Sequence, residues 1–517
     1  MLSDIALSAI VPMPRPEPSG DLDAFLKELT DALDRLNAQT EILLVAHSPR
    51  DALATLAESR GARVVGARAA GYGAALAAGF EAARGQYVLT LDADLLNLGT
   101  TIAGMWSARG AAEVTIASRY TAGGRASMPL GRRLLSRLLN TIFSRGLSFH
   151  VRDMSSGVRL YRADLVRGHA YRARDFDILQ EILVRAYMDG WRVQEVPFEY
   201  RSRRLGSTPG RLFGFGFAYA RTLSTLWATR NSILAADYDD RAHDSPIPLQ
   251  RYWQRQRFRH VTDLVDGEGP VLDVGCGSSR IIGALPAGSV GVDILLRKLR
   301  YGRKFGLPLV QASAFELPFR DEAFPCVLCS QVIEHVPKES SILDELDRTL
   351  ARGGRLVLGT PDYANWQWVV TEKLYGWFAP GAYADEHIAH YTREELIDIF
   401  TARGFRHEST RYIMRGELIL AFRKGSGRSS PEPARTENVA SAMDRSVVCP
   451  KCGGPLDRGD EEQALDCSAC GLRYPIEDEI PVLMADRAVP LPLGRAQRTK
   501  RSEPADDLHR AQEQDRG

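Results

Sequence analysis

The fold in the middle of this chain is indicated most clearly by the stretch Val271-Leu-Asp-Val-Gly-Cys-Gly-Ser-Ser279. Its first four residues form an apolar run suited to a buried parallel strand, and Gly275 and Gly277 allow a sharp turn where that strand ends. A second short strand is predicted over Ser289 to Val292, and Asp293 closes it. A carboxylate there can accept hydrogen bonds from both hydroxyls of a ribose. The order of strand, glycine turn, helix, strand and acid therefore predicts a nucleoside pocket.

The glycine pattern of the turn discriminates between two nucleoside cofactors. A dinucleotide pyrophosphate requires Gly-x-Gly-x-x-Gly, but Arg280 stands at the position of the third glycine. Asp273, just before the turn, would also repel a pyrophosphate, whereas it would attract a cationic sulfonium cofactor that carries a free amino group. The pattern Asp-x-Gly-x-Gly therefore favours S-adenosylmethionine over NAD.

This part of the chain resembles the class I methyltransferases. The resemblance runs from about Val271 to Lys424 and includes Leu317-Pro-Phe319, Gln331-Val-Ile-Glu-His335 and Gly353-Gly-Arg-Leu-Val-Leu358 in the family's order. It implies S-adenosylmethionine as the cofactor. The candidate cofactor-binding residues are Asp273, Gly275, Cys276, Gly277, Asp293, Ile294, Ser313, Ala314, Phe315 and Gln331. Related enzymes usually carry an acid where Ser313 and Pro325 stand here.

Glu334 and His335 follow the strand predicted over Val327 to Ser330 and have two interpretations. Imidazole titrates near neutrality, so the pair can supply a catalytic acid or base. In the family, however, Glu-His commonly begins the next helix and borders the cofactor, which is a structural role. His387 and His390 belong to a loop on the acceptor side and are further candidates.

The first 230 residues alternate predicted strands and helices, which is typical of a parallel α/β sheet. The strand over Tyr87 to Leu91 ends in Asp92-Ala-Asp94, at the edge where open α/β sheets bind ligands. Carboxylate oxygens there can hold Mg²⁺ or Mn²⁺ against a diphosphate. Taken alone, Asp-x-Asp is more simply explained as a pair of loop acids.

The surroundings of this pair resemble the family 2 glycosyltransferases of the polyprenyl-phosphate mannose or glucose synthase type, over about residues 3 to 230. The matching motifs are Gly71-Tyr-Gly-Ala-Ala-Leu, Gly79-Phe-Glu-Ala-Ala-Arg-Gly85, Leu91-Asp-Ala-Asp94, Ala117-Ser-Arg119, Gly131-Arg-Arg133, Asp153-Met-Ser-Ser-Gly157, Glu181, Glu195-Val-Pro197 and Arg204-Leu-Gly-Ser207. The resemblance implies that Asp92 and Asp94 hold the donor diphosphate and its metal, with Asp94 as a metal ligand. It also implies that Arg119 and Arg133 meet the acceptor phosphate, whose oxygens suit a planar guanidinium. Since a lipid phosphate is already anionic, no general base is required.

Three departures from that family concern the donor site. The chain reads Val45-Ala-His47 where the family has an acid that contacts the nucleotide base, and Leu96 replaces a common glutamine ligand. The expected Asn-Glu is absent from Pro12 to Glu17. These departures motivate a rival hypothesis, in which this domain binds a prenyl phosphate or glycan without transferring a sugar.

Aromatic and aliphatic residues crowd the segment from Arg211 to Trp227. An interfacial helix bordered by Arg211 and Arg230 would bring the domain to a lipid acceptor by peripheral membrane contact. A helix packed against protein is the alternative.

Two Cys-x-x-Cys pairs, Cys449 with Cys452 and Cys467 with Cys470, are separated by fourteen residues and predict a structural Zn²⁺ site. Iron-sulfur or rubredoxin-like iron ligation is the alternative. The ending from Tyr474 to Met484 resembles the zinc-ribbon activator subunits of tRNA and protein methyltransferases, over about Ser446 to Ala485. Those subunits dock beside a methyltransferase sheet, so docking in cis is expected. A further option is a dock for other methyltransferases.

The composition limits the partners and the location. The 517 residues suggest two or three domains, and 66 Lys and Arg against 65 Asp and Glu give no bulk charge for binding nucleic acid. The proline-rich start is not a signal peptide and no apolar run has spanning length, so a cytoplasmic protein, soluble or peripheral at the membrane, is expected.

The sequence thus predicts an α/β chain with two Rossmann-like domains, a GT-A glycosyltransferase and a class I methyltransferase, followed by a small zinc ribbon. The expected bounds are a glycosyltransferase over 1–230, a linker over 231–249, a methyltransferase over 250–425, a flexible linker over 426–446, a zinc ribbon over 447–486 and a disordered tail over 487–517. The predicted function is sugar and methyl transfer in lipid-linked glycan or surface-polysaccharide synthesis. A sugar-nucleotide donor and a polyprenyl-phosphate or glycan acceptor are the expected partners.

Overall fold

The computed structural model divides the chain into two compact units, Met1–Tyr238 and Asp239–Gly517. The structure describes residues 5–13, 20–49, 51–127, 130–201, 223–370, 387–426, 446–459 and 463–491. The Arg204 to Ser207 motif, most of the predicted interfacial helix, nearly all of the second predicted linker and most of the predicted tail lie outside the described residues.

The first unit is built on a seven-stranded sheet of order β3-β2-β1-β4-β7-β5-β8. The strands are β1 (Leu7–Met13), β2 (Thr40–Ala46), β3 (Ala62–Gly66), β4 (Tyr87–Thr90), β5 (Val114–Ser118), β7 (Arg159–Arg162) and β8 (Val193–Pro197), and β6 (Arg125–Ala126) pairs separately with β9 (Glu199–Tyr200). The helices are α1 (Gly20–Asp34), α2 (Asp51–Ser59), α3 (Tyr72–Ala82), α4 (Leu98–Ala108), α5 (Leu130–Gly146), α6 (Ala163–Val166) and α7 (Ile178–Met188).

Helices cover both faces of this sheet because its central strands are apolar on both sides. Along β1, Ala9 and Val11 pack into the same core as Phe25 of α1, whereas Ile10 packs into the opposite core with Phe80 of α3. This alternation is the two-residue period of a strand. One strand departs from the predicted parallel sheet, since β7 runs antiparallel between β4 and β5.

The second unit contains another seven-stranded sheet, of order β12-β11-β10-β13-β14-β16-β15. The strands are β10 (Val271–Val274), β11 (Val290–Asp293), β12 (Leu309–Gln311), β13 (Phe324–Ser330), β14 (Leu350–Pro361), β15 (Phe405–Ile413) and β16 (Glu417–Lys424). The helices are α8 (Tyr238–His243), which begins at the last residue of the first unit, α9 (Pro248–Val265), α10 (Leu296–Gly302), α11 (Ile342–Thr349) and α12 (Arg393–Ala402). The predicted strand Val271–Val274 is buried at the centre, and β10 to β14 are parallel. Their carboxyl ends therefore share one edge.

A small β module follows in the same unit. Its strands are β17 (Asp457–Arg458), β18 (Ala464–Cys467), β19 (Leu472–Glu477), β20 (Ile480–Pro481) and β21 (Val489–Pro490). It shares a hydrophobic core with the large sheet, in which Tyr474 and Leu483 join Phe319. Backbone hydrogen bonds link the two parts, from Val448 N to the carbonyl of Pro318 at 2.9 Å and from Leu483 N to the carbonyl of Gln311 at 2.8 Å.

Candidate functional sites

The predicted donor-site acids follow β4 in the first unit. Burial and the neighbouring carboxylate of Asp94 raise the pKa of Asp92 to about 6. Gly157 lies directly beneath this acid, because a Cβ there would be 3.1 Å from Asp92 Oδ2 and 2.6 Å from the Tyr72 hydroxyl. A buried acid with a second carboxylate beside it fits a divalent cation, which would stabilise its charge.

The glycines of the predicted family motif support a close backbone contact. Gly71 has φ of 125°, and a Cβ there would lie 2.4 Å from the carbonyl oxygen of Arg174. The carboxylate of Glu181 accepts hydrogen bonds from the backbone amides of Arg172 and Ala173, and so holds the loop against which the amino end of α3 packs. The sequence assigned no role to Glu181, and the structure gives it this positioning one.

Arg119 is held by a carboxylate in the structure. Its Nε and Nη2 donate to the two oxygens of Asp153 at 2.8 Å and 2.6 Å, and Nη2 also donates to Ser155. Burial opposes the charge of Arg119, but these bonds and the charge of Asp153 raise its pKa. The Asp153 amide in turn donates to Glu195 Oε1 at 2.9 Å. The matched motifs of these residues thus form one chain of contacts, while the phosphate contact predicted for Arg119 stays a prediction.

Helix α5 carries Arg133 and two surfaces that the sequence analysis missed. One is a cavity of about 320 Å³, which is lined by Tyr120, Arg137, Asn140, Thr141, Ser144, Arg145, Val151 and Arg152. The other is a row of exposed apolar side chains, Leu130, Leu134, Leu138 and Ile142, between 46% and 67% exposed. Their spacing of four residues would have revealed this row as one helix face.

The positions at which the chain departs from the glycosyltransferase pattern are also described. His47 Nδ1 lies 3.1 Å from the carbonyl oxygen of Ala67, immediately after β2. Leu96 is half-buried and its amide donates to the carbonyl of Arg201 at 3.1 Å. Arg159 was missed altogether. It is fully buried and donates to the carbonyls of Met154, Ser156 and Leu179, which fixes the loop before β7.

In the second unit the glycine turn after β10 fits the predicted nucleoside pocket. Gly275 and Gly277 have φ of 73° and 57°, which favours glycine. A Cβ on Gly275 would lie 2.2 Å from Val332 Cγ2, so the close approach excludes larger residues. Burial and the charge of Asp293 raise the pKa of Asp273 to about 7. A cationic cofactor would compensate these two acids, so the residues fit S-adenosylmethionine.

Asp293 ends β11 and holds the turn. Its Oδ2 accepts a hydrogen bond from Gly277 N at 2.9 Å, and Oδ1 accepts one from Leu295 N at 2.8 Å. Burial raises its pKa. Because a carboxylate offers about four acceptor positions, these two bonds leave capacity for ribose hydroxyls.

The other predicted cofactor residues differ in character. Cys276 is buried against Gly291, and burial raises the pKa of its thiol, which is the behaviour of a small apolar side chain. Ile294 and Phe315 are exposed by 54% and 40%, as the walls of an adenine slot would be before binding. Ser313 and Ala314 are half-buried, with Ser313 Oγ accepting from Phe315 N. Gln331 has φ of 61°, and among the described residues its buried Nε2 meets no hydrogen-bond acceptor.

The segment expected to be a linker contributes to this pocket. Asp239 Oδ2 accepts hydrogen bonds from Ser278 N at 3.2 Å and from Lys298 Nζ at 3.0 Å, next to Gly277. Although burial opposes its charge, these partners lower its pKa. Asp240 accepts from Arg280, Tyr301 and Lys304. The acidic composition of this segment predicted a linker. Its cationic partners lie 40 or more residues away in sequence, so the local composition does not reveal them.

Glu334 and His335 follow the carboxyl end of β13. Burial raises the pKa of Glu334 to about 8, and Thr360 Oγ1 donates to its Oε2 at 3.1 Å. His335 is half-buried with its ring centre 5.0 Å from that of His387. The Tyr363 hydroxyl lies 2.7 Å from His387 Nδ1, and the Tyr363 ring stacks on His390. Of the two histidines of the later loop, His387 therefore joins the predicted pair, and His390 contacts it only through Tyr363.

The four predicted zinc ligands come together in the small module. Cys449 and Cys470 have their sulfurs 3.6 Å apart, and those of Cys452 and Cys467 are 3.5 Å apart. Four thiolates bound to zinc at about 2.3 Å would stand about 3.8 Å apart, so this donor set fits Zn²⁺. Burial disfavours the Cys449 thiolate, but the hydrogen bond with Tyr474 and backbone amides outweigh it and lower its pKa to about 7.

Three family models match successive parts of the chain. Glycosyl transferase family 2 matches residues 24–169, the methyltransferase domain matches 272–358 and Trm112p-like protein matches 447–479. Among the described residues, no helix is both long and apolar enough to cross a membrane.

Curated relatives match the two larger domains. The demethylmenaquinone methyltransferase of Streptomyces avermitilis is 32% identical over 33% of this chain and 81% of its own. The low-salt glycan biosynthesis hexosyltransferase Agl6 of Haloferax volcanii is 26% identical over 44% of this chain and 60% of its own. The undecaprenyl-phosphate 4-deoxy-4-formamido-L-arabinose transferase of Aeromonas hydrophila is 30% identical over 32% of this chain and 51% of its own. The chain spans 46% and 58% of the lengths of two further relatives.

The folds and sites define a transferase with two different α/β domains. More particularly, the chain belongs to the methyltransferases, and it joins a family 2 glycosyltransferase domain and a Trm112p-like domain to the methyltransferase domain.

Proposed function

We propose that this protein transfers a sugar from a sugar nucleotide to a polyprenyl phosphate or a related lipid-linked glycan, and a methyl group to the same class of product. The observation that carries the proposal is that one chain holds two sheets with a pair of acids at the carboxyl ends of their strands, Asp92 with Asp94 in the first unit and Asp273 with Asp293 in the second. The two named glycan-pathway relatives support the setting.

For sugar transfer, Asp94 would bind Mg²⁺ or Mn²⁺ at the donor diphosphate, with Asp92 beside it. When bound, the cation stabilises the negative charge that develops on the departing nucleotide diphosphate. Tyr72 and Gly157 would position Asp92. A side chain at position 157 would collide with both Tyr72 and Asp92, so glycine is needed there. Glu195 positions Asp153, and Asp153 holds Arg119, which would face the anionic acceptor.

The acceptor side of this domain would be the basic cavity on α5. The positively charged side chains of Arg137, Arg145 and Arg152 line it, and arginine suits phosphate oxygens. The exposed apolar row from Leu130 to Ile142 lies on the same helix, whose sequence has four arginines and no acid. Such a helix can lie in an anionic membrane surface with its apolar face inserted, which gives the protein a peripheral contact with the lipid that carries its acceptor.

For methyl transfer, Asp273 would pair with the positive charge of S-adenosylmethionine and Asp293 with its ribose. When bound, the cofactor supplies an activated methyl group on its sulfonium. Ile294, Ser313, Ala314, Phe315 and Gln331 would surround the adenine and the reactive end. Glu334 and His335, the pair predicted to be catalytic, would lie beside the methyl acceptor.

The Trm112p-like module would stabilise the methyltransferase domain in cis through a zinc site at Cys449, Cys452, Cys467 and Cys470. The shared core and the backbone bonds at Pro318 and Gln311 support this role. Arg300 adds an ion pair to Asp478 of the module at 2.6 Å.

A calorimetric screen of sugar nucleotides with Mn²⁺ tests the proposed donor site. We expect one sugar nucleotide to bind, and Asp94→Asn to abolish both binding and transfer. If no sugar nucleotide binds while prenyl phosphate binds tightly, the domain is a binding module and sugar transfer is excluded. Purified protein that uses labelled S-adenosylmethionine to methylate only protein or RNA would contradict the proposed acceptor.

A further inference from the structure

A side-chain cluster on the acceptor side of the methyltransferase domain has the composition of a metal site. One ligand atom from each of Glu334, His335 and His387 lies within 4.8 Å of the other two. The backbone brings the later histidine back to the pair, because the amides of Ile388 and Ala389 both donate to the carbonyl of Glu334, at 2.8 Å and 3.0 Å. The three side chains therefore converge although 52 residues separate the pair from His387.

The carboxyl group of Glu334 is only partly compensated by the described residues. The side chain is fully buried, and Oε2 accepts one hydrogen bond, from Thr360 Oγ1. Among the described residues, Oε1 is also buried and meets no hydrogen-bond donor. A buried carboxylate without a cation or donors is costly, and a bound cation at Oε1 would remove that cost.

His387 is oriented as metal-binding histidines usually are. The Tyr363 hydroxyl lies 2.7 Å from Nδ1 and restrains the ring, so Nε2 would be the ligand nitrogen. Hydrogen bonding of the second nitrogen to a neighbouring group is the common way in which proteins hold a metal-ligating imidazole. The ring of Trp368 stacks on His387 with centres 6.1 Å apart and restricts it further.

We propose that Glu334, His335 and His387 bind one divalent transition-metal ion, such as Zn²⁺, Mn²⁺ or Fe²⁺, on the acceptor side of the methyltransferase domain. Two imidazoles and one carboxylate are ligands that these ions accept, and three protein ligands leave positions open. This inference rests on the proposed methyl transfer to a glycan. The open positions would bind hydroxyl oxygens of that acceptor and orient one of them towards the cofactor.

The geometry needs only a small adjustment to bind the ion. Ligand atoms that share a metal at about 2.1 Å stand roughly 3–3.5 Å apart. The present limit of 4.8 Å thus requires closure by about 1.8 Å at most, which rotation of His335 and His387 about their side-chain bonds can supply.

The experiment uses the full chain with Asp94→Asn, which disables the other expected divalent-cation site, and with zinc retained in the four-cysteine site. Co²⁺ is titrated after weakly bound ions have been removed. We expect one further equivalent to bind, with the weak visible absorption of nitrogen and oxygen ligation and without the intense sulfur-to-cobalt bands of the cysteine site. His387→Ala and Glu334→Gln should lose this absorption and this equivalent.

The matched control is His390→Ala, which alters a histidine of the same loop that stacks on Tyr363 but is not part of the cluster. Its Co²⁺ absorption should persist. The inference is overturned if no Co²⁺ binds beyond the cysteine site, or if His387→Ala retains the absorption. Calorimetry of S-adenosylmethionine on the same samples distinguishes the proposed methyl transfer from the proposed metal site. If the parent protein does not bind S-adenosylmethionine, the proposed function is contradicted, whereas the Co²⁺ result remains valid.

Discussion

Asp293 lies beside Asp273 at the carboxyl edge of the second sheet, and its charge, added to burial, raises the pKa of Asp273 to about 7. Two negative charges in such proximity repel each other and do not stabilise the pocket by themselves. A ligand that carries positive charge would relieve this repulsion.

This relationship predicts that cofactor affinity depends on pH. S-adenosylmethionine would bind the ionised form of Asp273, and protons compete for that form below the pKa. The dissociation constant should therefore rise by up to about tenfold per unit as the pH falls below about 7. Calorimetric titrations between pH 6 and 8 measure this. Asp273→Asn should bind weakly and with little pH dependence, and an affinity that does not change in the parent protein would contradict the prediction.

Substitution by alanine should destabilise the protein much more at Gly275 than at Gly353. Gly275→Ala combines a left-handed φ with a Cβ 2.2 Å from Val332, so it should destabilise the second unit by about 2–4 kcal/mol and weaken cofactor binding. Gly353 also has a left-handed φ, of 71°, but apart from its chain neighbours no atom of the described residues lies within 4 Å of its Cβ position. Gly353→Ala should cost only about 1 kcal/mol. Urea unfolding of both variants tests this, and equal losses would show that contact with Val332 is unimportant.

Glu195 should affect sugar transfer from a distance. Its carboxylate accepts the amides of Arg152 and Asp153, and Asp153 holds Arg119. Glu195→Ala should lower kcat/KM for the acceptor by about tenfold, since one or two charge-assisted hydrogen bonds are lost. Glu199→Ala is the control, because Glu199 forms an exposed ion pair with Arg201. A normal rate in Glu195→Ala would show that the loop keeps its position without this carboxylate.

Removal of zinc should destabilise the methyltransferase domain. The module shares a core with Phe319, so unfolding it exposes apolar surface on the large sheet. Cys467→Ser should lower the melting temperature of the second unit and the rate of methyl transfer. Cys329→Ser, a change at a buried cysteine outside the zinc site, controls for the sulfur-to-oxygen substitution. If Cys467→Ser left methyl transfer and stability unchanged, the module would have no supporting role.

Asp240 should make the free energy of unfolding depend on pH. Although burial opposes its charge, hydrogen bonds from Arg280, Lys304 and Tyr301 lower its pKa. A lowered pKa contributes stability above the unfolded value near 4, and this contribution is lost as the pH falls through the folded value. Asp240→Asn should therefore cost about 1–3 kcal/mol at pH 7 and less at pH 3. Asp266→Asn, at an exposed position, should change little. A pH-independent loss would rule out the charge as the cause.

Much of the fold could be predicted from local pattern. The run Val271 to Val274 and its two glycines are explained by burial and backbone conformation, which a sequence displays directly. The spacing of the four cysteines likewise predicts their metal site. The antiparallel β7 could not be predicted in this way, because strand direction depends on pairing with β4 and β5 and leaves no periodic signature.

The parts of the sites that escaped prediction depend on distant partners. Asp239 looks like a loop acid until Lys298, 59 residues later, is placed beside it. Arg119 resembles a free phosphate ligand until Asp153 is seen to hold it. His387 joins Glu334 only through a backbone return that composition does not reveal.

The contacts of Asp239 and Asp240 have a consequence for dissecting this protein. A methyltransferase fragment that starts at Gln250, where the composition changes, would lack both acids and leave Lys298, Arg280 and Lys304 without them. A fragment that starts at Asp239, where the second unit begins, keeps them. Any exchange of the glycosyltransferase domain, in the laboratory or in evolution, would therefore have to preserve the first residues after the junction, because they already belong to the downstream enzyme.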